Sequence, residues 1–285
     1  MTIYLNSKII LTIMRKEGEL YMTTESKLDY NWSEIVADLN SLLKVRSIPI
    51  GMKLYTKKEE MEAVPRIRRP KKRHLLDQLV AQSVRLGFTI GVTANDLAMK
   101  QCGAIVGLME QDEEWFSGDP MAGVWFESQK DAALHQHSLD IVPDGQYEAL
   151  AVSPLEANRI KNPDICLFYG TPGQMMIFIN GLQWEGFKKF EWSVVGESSC
   201  ADSWGRALST KEPSLSIPCY AERRYGGVLD EEMLMALTPE DLVKGIEGMK
   251  KLSGNGLRYP IPAYGIQADP RETLEPIYPE WVQKD

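Results

Sequence analysis

The alternation of short apolar runs with capped helical segments constrains the fold of this 285-residue chain more than any other feature. The apolar run at residues 164–170 ends in a turn where Thr171 suits the N-cap and Pro172 the first position of a helix. Residues 190–207 repeat this order of strand, turn and helix. The pattern predicts an α/β fold, namely a single domain with a mixed, partly parallel sheet flanked by helices and an α-rich N-terminal part.

The sequence pattern of the N-terminal part predicts three helices and a strand. Asn31 suits the N-cap of the first helix, and an apolar stripe along residues 76–86 predicts the second. A third helix is expected to start near Thr93 and to carry Cys102. Between the first two helices, residues 47–55 form an apolar run typical of a short strand.

The chain is expected to hold one domain between two extensions. Residues 1–21 lack the long apolar stretch and cleavage site of a secretion signal. Codons for residues 16–18 can contain a ribosome-binding sequence shortly before Met22, so residues 1–21 are predicted to be a non-native or disordered extension. Residues 22–258 form the predicted α/β domain, and the Pro-rich residues 259–285 an extended tail on the surface or on a partner subunit.

Composition excludes several classes of partner. The chain is 44% hydrophobic and 25% charged, as expected for a soluble globular protein. Its net charge of -8 argues against a general nucleic-acid or anionic-membrane binder, since phosphate groups are neutralised by basic surfaces. No apolar run approaches the roughly 20 residues that span a bilayer. We therefore expect a cytoplasmic protein whose partner is a small molecule, with a homo-oligomer left open.

Two further patterns receive structural interpretations. The basic run at residues 66–73 lacks interleaved aromatic residues and is interpreted as a solvated linker. His135 and His137 lie in a segment of helical pattern, in which side chains two positions apart diverge. That divergence disfavours a metal site formed by the histidine pair.

The four cysteines have no CxxC spacing, so their positions predict neither a disulfide framework nor a short-range zinc motif. Cys166, inside an apolar strand, fits a buried packing residue. Cys200 is expected in the first turn of a helix, where the macrodipole lowers a thiol pKa and favours a nucleophile or metal ligand. Cys219 is expected just after a strand. Burial as a small hydrophobic residue is the alternative for each of them.

Ligands of open α/β sheets bind beyond the carboxyl ends of strands, where loops meet helix N-termini. This rule marks Gly170, Thr171 and Ser199 as candidate cofactor-binding residues. Arg223 and Arg224 follow a strand end and would clamp a carboxylate or phosphate, or would form a solvated surface pair.

The segments "LLKVRSIPIGMKLY", "QCGAIVGL", "SSCADSW" and "SIPCYAERR" resemble the domain of unknown function 169 family of bacterial and archaeal proteins, over residues 34–252. Relatives often read cysteine, any residue, Gly-Asp-Arg where this chain has Cys-Tyr-Ala-Glu-Arg at 219–223. Relatives also carry a cysteine early in the helix near residues 75–85, where this chain offers His74 or Asp77. The resemblance implies a common fold and a cysteine site, but no assigned activity.

Two hypotheses of function follow. In the first, Cys102, Cys200 and Cys219 hold an iron–sulfur cluster or another soft metal with one open position, and the approach of Cys102 is implied by the resemblance. Such a centre suits a lyase, dehydratase or desulfurising enzyme acting on a small anionic or aromatic compound. Cys200, Arg223 and Arg224 would be the catalytic residues, with the arginines binding the negative group of the substrate.

The second hypothesis is a non-catalytic protein that binds a small molecule or a cofactor. Trp184, Trp192 and Trp204 would then line an apolar pocket, although core packing explains them equally well. The colour of anaerobically purified protein separates the two hypotheses, because an iron–sulfur cluster is brown.

Overall fold

The computed structural model describes residues 8–16, 19–27 and 29–283. An antiparallel hairpin at the N-terminus, formed by β1 (Lys8–Lys16) and β2 (Glu19–Lys27), is a separate two-stranded sheet. The expected extension at residues 1–21 lies partly outside the described residues, and a translation start at Met22 stays a prediction.

The main sheet and its helices form the rest of the described fold. The strands are β3 (Ile50–Tyr55), β4 (Ile90–Val92), β5 (Ala149–Pro154), β6 (Ile165–Gly170), β7 (Ser214–Ser216) and β8 (Met233–Leu237). The helices are α1 (Trp32–Leu43), α2 (Lys58–Glu62), α3 (Leu76–Leu86), α4 (Lys100–Ile105), α5 (Glu113–Ser117), α6 (Gln129–Ser138), α7 (Pro172–Leu182), α8 (Arg206–Thr210), α9 (Tyr220–Gly226), α10 (Pro239–Gly254) and α11 (Arg271–Leu274).

The strands of the main sheet lie in the order β4-β5-β3-β6-β8-β7, and every pairing between them is antiparallel. The prediction of a partly parallel sheet is therefore wrong, whereas the mixture of helices and strands in one sheet-based fold is confirmed. A parallel pair needs a crossover that carries the chain back along the sheet. The helix between β7 and β8 is the short α9, which packs against α3, so β8 runs back beside β7.

The two faces of the sheet carry different cores, because side chains alternate along each strand. In β6, Ile165 and Leu167 point to the face covered by α3, α4 and α8, which we call the pocket face. Cys166 and Phe168 point to the opposite face, where α1, α7 and α10 pack, which we call the helical face. The pocket face carries the candidate site.

The helix boundaries on the helical face follow their caps. Asn31 accepts the backbone N–H of Glu34 at 3.4 Å and begins α1, as the sequence predicts. Thr171 caps α7, whose first residue is Pro172. α7 and α10 approach closely, since a Cβ added to Gly248 would lie 1.9 Å from the carbonyl oxygen of Gly181. The helices of this face are thus fixed by both sequence signals and packing.

One predicted strand is absent. Residues 190–196 have no regular secondary structure, although their apolar residues suggest a strand. In this segment Trp192 donates its indole N–H to the carbonyl of Pro213, and Val195 donates its backbone N–H to Asp202. These bonds attach the segment to the neighbouring loop and to the following helical turn, so its backbone groups do not pair with a strand.

Candidate functional site

Four short elements on the pocket face bring acidic and sulfur-bearing side chains together. Asp77 is the second residue of α3, and Cys102 lies in α4. Cys200 directly precedes a π-helical turn at Ala201–Gly205, and Cys219 is the N-cap residue of α9. All four side chains line one partly open pocket of about 200 Å³. We call it the cysteine pocket.

The sulfur atoms of Cys102 and Cys200 lie 3.1 Å apart, and the Cys102 thiol also lies 3.5 Å from a carboxyl oxygen of Asp77. Cys102 therefore lies against Cys200, and Cys219 lines the same pocket. Cys200 and Cys219 are not brought together by parallel strands, because β7 and β8 pair antiparallel. Instead the turn that follows Cys200 packs against β7, so the start of that turn lies near the end of the strand that Cys219 follows.

A buried carboxyl group supports the pocket from behind. Glu222 in α9 accepts hydrogen bonds from the hydroxyls of Ser199 and Tyr169, the latter at 2.7 Å. It also accepts the backbone N–H of Cys219 at 3.2 Å. Burial raises the pKa of Glu222, while these hydrogen bonds lower it. The carboxyl thus fixes the relative positions of the cysteines at 200 and 219.

The acidic groups of the cysteine pocket all have raised pKa values. Burial, followed by the charge of Glu222, raises the pKa of Asp77 to about 7. The hydrogen bond from Cys102 lowers the pKa of Cys200, but burial and the nearby carboxyls together raise it to about 11. Burial raises the pKa of Cys219 to about 12. The predicted lowering of the Cys200 pKa is therefore wrong, because desolvation and like charges outweigh the helix start.

The pKa of Cys102 lies well above the usual value of a thiol. The largest cause is its hydrogen bond to Cys200, followed by burial and by the charge of Asp77. Without a cation, the metal-free pocket therefore favours protonated thiols at neutral pH.

A second acidic group, Glu197, lines the pocket beside Cys200. Burial raises its pKa, and it accepts a hydrogen bond from the hydroxyl of Ser198. The Nε2 atom of His135 lies 3.8 Å from Glu197 and has no hydrogen-bond partner among the described residues. Burial lowers the pKa of His135, so this ring is held neutral at neutral pH.

An amide network fixes this side of the pocket. The side chain of Gln101 exchanges hydrogen bonds with Gln136 and donates to Ser198 at 2.9 Å. It also accepts the indole N–H of Trp115 at 3.0 Å. These bonds join α4, α5 and α6 to the turn that carries Cys200, and they give that wall a defined shape.

Aromatic side chains surround the mouth of the pocket. Trp125, Tyr220 and Tyr225 line it together with Met99, and each of the four is about half exposed. The rings of Trp125 and Tyr220 meet edge to face with centroids 5.9 Å apart. The mouth is thus apolar, whereas the floor carries thiols and carboxyls.

The arginines assigned to substrate binding are not among the residues that line the pocket, although Arg224 packs beside Tyr220 and Tyr225 at its mouth. Arg223 donates to the carbonyls of Pro218 and Leu229, at 3.0 and 2.6 Å. Arg224 is exposed and donates to the hydroxyl of Tyr220 at 2.6 Å. Arg223 is thus held by backbone carbonyls near α9, and Arg224 by a tyrosine of the pocket mouth, so a role for either in substrate binding stays a prediction.

The proposed cofactor-binding residues separate in space. Gly170 and Thr171 line a different depression, where the backbone N–H of Thr171 donates to Gln174 at 2.7 Å. Ser199 is fully buried and accepts the backbone N–H of Cys219 at 2.9 Å. Ser199 therefore supports the cysteine pocket, whereas Gly170 ends β6 and Thr171 caps α7.

The tryptophans expected in a ligand pocket lie elsewhere. Trp204 is completely buried in the pocket-face core, Trp192 packs against the helical-face core, and Trp184 is exposed outside the pocket lining. The tryptophan of the mouth is Trp125. Cys166 is buried among apolar side chains of the helical face, as predicted.

Few sequence features point to the carboxyl groups in and behind the cysteine pocket. Asp77 was marked by the resemblance, which places a cysteine near it in relatives. Glu222 follows Cys219 by three positions, the spacing of a capping box, and that signal was readable. Glu197 and His135 carried no local signal, because they meet only through the fold.

In the part of the chain that the structure describes, no group of three or more His, Cys, Asp and Glu side chains is already arranged to hold a metal ion. A metal at the three cysteines would thus require the thiols to turn toward a common point. In the same described residues, no helix is long and apolar enough to cross a membrane.

Comparison with known proteins places the chain among uncharacterised relatives. The family model DUF169, described as uncharacterised ArCR, matches residues 38–248. An uncharacterised protein of Methanocaldococcus jannaschii, MJ0308, is 26% identical over 129 residues, which are 43% of this chain. The chain spans about half the length of that relative, 55%. No solved structure matches the chain.

Proposed function

The chain belongs to the DUF169 family, and we propose that its cysteine pocket binds a soft metal through Cys102, Cys200 and Cys219 for chemistry on a small molecule. Asp77 is a further ligand candidate in this proposal. The observation that carries it is the convergence of three thiols and a carboxyl on one partly open pocket, with two sulfur atoms 3.1 Å apart.

The electrostatics of the pocket support a cation there. The pKa values of Asp77 and of the three cysteines are all raised, with burial and neighbouring acidic groups among the causes. A bound metal ion would reverse this effect, because it stabilises thiolate and carboxylate forms directly. Of the described residues that line the pocket, none is a lysine or arginine able to provide that positive charge.

Thiolates select soft metals, including iron in iron–sulfur clusters, zinc and copper(I). Two thiolates that share one tetrahedral ion lie about 3.8 Å apart when each metal–sulfur bond is about 2.3 Å. The separation of 3.1 Å between Cys102 and Cys200 is shorter than that value, so the two thiols would have to rotate apart to become ligands of the same metal atom. That atom is either a single ion or one iron of a cluster.

The open side of the pocket is consistent with an enzyme. A metal held by three protein ligands keeps a position for a substrate or water, and there it acts as a Lewis acid. Glu197, at the pocket wall, is the nearest candidate for proton transfer to a bound molecule. The reaction class that we propose is lyase or dehydratase chemistry on an aromatic compound.

The second candidate function is non-catalytic binding of a small molecule. The half-exposed aromatic rings at the pocket mouth favour it, since an apolar mouth would hold a ligand without any metal. Protein purified without metal but with a retained organic ligand would support this candidate.

The proposal is tested by the metal content of protein purified anaerobically, measured for the wild type and for single Cys→Ser variants. Serine at position 102, 200 or 219 is expected to remove most of the metal, because the ligands act as one unit. Cys166→Ser is the matched control, since this buried thiol lies on the helical face. Metal-free wild type, or metal content that is the same in all four variants, would refute the metal centre.

A further inference from the structure

We infer that the cysteine pocket takes a small organic cation with an apolar or aromatic body. The inference deepens the proposed function, because it names the ligand class of the same pocket. It differs from the sequence-based expectation of an anionic substrate, whose arginine clamp would use Arg223 and Arg224, neither of which lines the pocket.

The charges of the pocket favour a cation. Asp77 and Glu197 line it, and Glu222 lies directly behind Cys219. Charge interactions in such a partly buried site are several times stronger than in bulk water. An anion entering here would meet repulsion, and among the described residues that line the pocket no arginine or lysine offsets it.

The aromatic mouth provides the second element of cation recognition. A cation is attracted to the faces of Trp and Tyr rings, and cages of such rings recognise quaternary ammonium groups. Trp125, Tyr220 and Tyr225 supply three rings around the pocket mouth. The guanidinium of Arg224 already lies 5.6 Å from the centroids of both tyrosine rings. The protein's own cation thus already lies beside both tyrosine rings, and Trp125 is the ring on which a ligand cation is expected.

The size of the pocket limits the ligand. Its volume of about 200 Å³ is below the roughly 300 Å³ at which drug-sized pockets begin. A single ring with a trimethylammonium group is of suitable size. Its charged group would lie against Trp125 and face Asp77 and Glu197, while its apolar part would contact Met99.

The test compares three probes that share a phenyl ring, titrated against the full chain by ligand-observed NMR. They are the cation benzyltrimethylammonium, the neutral benzyl alcohol and the anion phenylacetate. We expect the cation to bind at least tenfold more tightly than the neutral probe, and the anion most weakly. An anion that binds as tightly as the cation, or a cation that does not bind, would overturn the inference.

Variants locate the binding. Trp125→Ala is expected to weaken cation binding by about fivefold to thirtyfold, the range of a cation–π contact. Glu197→Gln is expected to reduce the preference for the cation over the neutral probe while keeping the shape of the side chain. Trp184→Ala is the control, because this exposed tryptophan lies outside the pocket lining. Equal cation affinities for Trp125→Ala and wild type would overturn the inference.

Metal content measured on the same preparations separates this inference from the proposed function. Metal-free protein that prefers the cation supports the inference and refutes the metal centre. Metal-containing protein that prefers the anion overturns the inference alone. Circular dichroism spectra and melting curves establish that each variant is folded before its affinities are compared.

Discussion

Cys166 and Cys200 are equally buried, each 1% exposed, but they lie on opposite faces of the same sheet. On the helical face Cys166 packs among apolar side chains, and burial alone raises the pKa of its thiol. On the pocket face Cys200 lies beside Cys102 and near buried carboxyls. Burial therefore does not distinguish Cys166 from Cys200, the residue of the candidate site, whereas the polarity of the neighbouring groups does.

The largest effect is expected from a cavity on the helical face. Phe178 is completely buried in α7 and packs edge to face against Phe168. Phe178→Ala is expected to lower the free energy of unfolding by about 3–5 kcal/mol, as large core truncations do. Urea titration measures this, and a loss below about 1 kcal/mol would show that this face is loosely packed. At 25 °C and in metal-free protein, the alkylation rates of the pocket thiols should stay unchanged.

Oxidation should distinguish the two faces by chemistry. A reagent that oxidises dithiols is expected to join Cys102 and Cys200, whose sulfur atoms lie 3.1 Å apart, with the loss of two thiol protons and two electrons to the reagent. Closing so long a loop typically stabilises a protein by about 2–4 kcal/mol. Mass mapping of the thiols should find Cys166 reduced. A disulfide that includes Cys166, or a Cys102→Ser variant oxidised to the same extent, would contradict the geometry.

Stability of the metal-free protein should depend on pH through the pocket face. The pKa of Asp77 is raised to about 7 in the folded protein, so the folded state binds a proton more tightly than the unfolded chain. The stability from this group is therefore present below about pH 4 and is lost as the pH rises through about 7. A tenfold difference in proton affinity between the two states corresponds to about 1.4 kcal/mol, which makes a few kcal/mol an upper bound.

Asp77→Asn tests this dependence. The variant is expected to be more stable than wild type at pH 8 and similar at pH 4, because it removes the buried charge and keeps an acceptor for the Cys102 thiol. Cys166→Ala serves as the control, since it removes no carboxyl and should keep the wild-type slope of stability against pH. The account would be refuted if the wild type became more stable from pH 4 to pH 8 and Asp77→Asn abolished that gain, because the pH dependence of stability would then have the opposite sign.

The smallest effect is expected for Arg224, the exposed residue that the sequence assigned to catalysis. Arg224→Ala should change the free energy of unfolding by less than about 0.5 kcal/mol, as surface substitutions usually do. It should also leave the metal content unchanged. A loss of metal in this variant would show that Arg224 contributes to the metal site.

Sequence patterns predicted the helical face well because its signals are local. Asn31, Thr171 and Pro172 begin helices through contacts with residues three or four positions away. The strand pairing was not predictable in this way, since the direction of β8 depends on where α9 packs. An alternating order of strands and helices is shared by parallel and antiparallel arrangements.

The sequence points to the cysteines of the candidate site but not to the groups that surround them. Cys102, Cys200 and Cys219 were identified from turn positions and from a family resemblance. Glu197 and His135 meet across 62 positions of sequence, and only the tertiary fold brings them together. The pKa of Cys200 was misjudged for the same reason, because the carboxyls that raise it are distant in sequence.

X-ray absorption at the metal edge of anaerobically purified protein tests the central claim most directly, namely that the cysteine pocket is a thiolate metal site. The account predicts two or three sulfur neighbours at about 2.3 Å from the metal. It further predicts one sulfur fewer, or no bound metal, in Cys200→Ser, and an unchanged spectrum in Cys166→Ser. A metal surrounded only by oxygen and nitrogen, or a spectrum unaffected by Cys200→Ser, would contradict it.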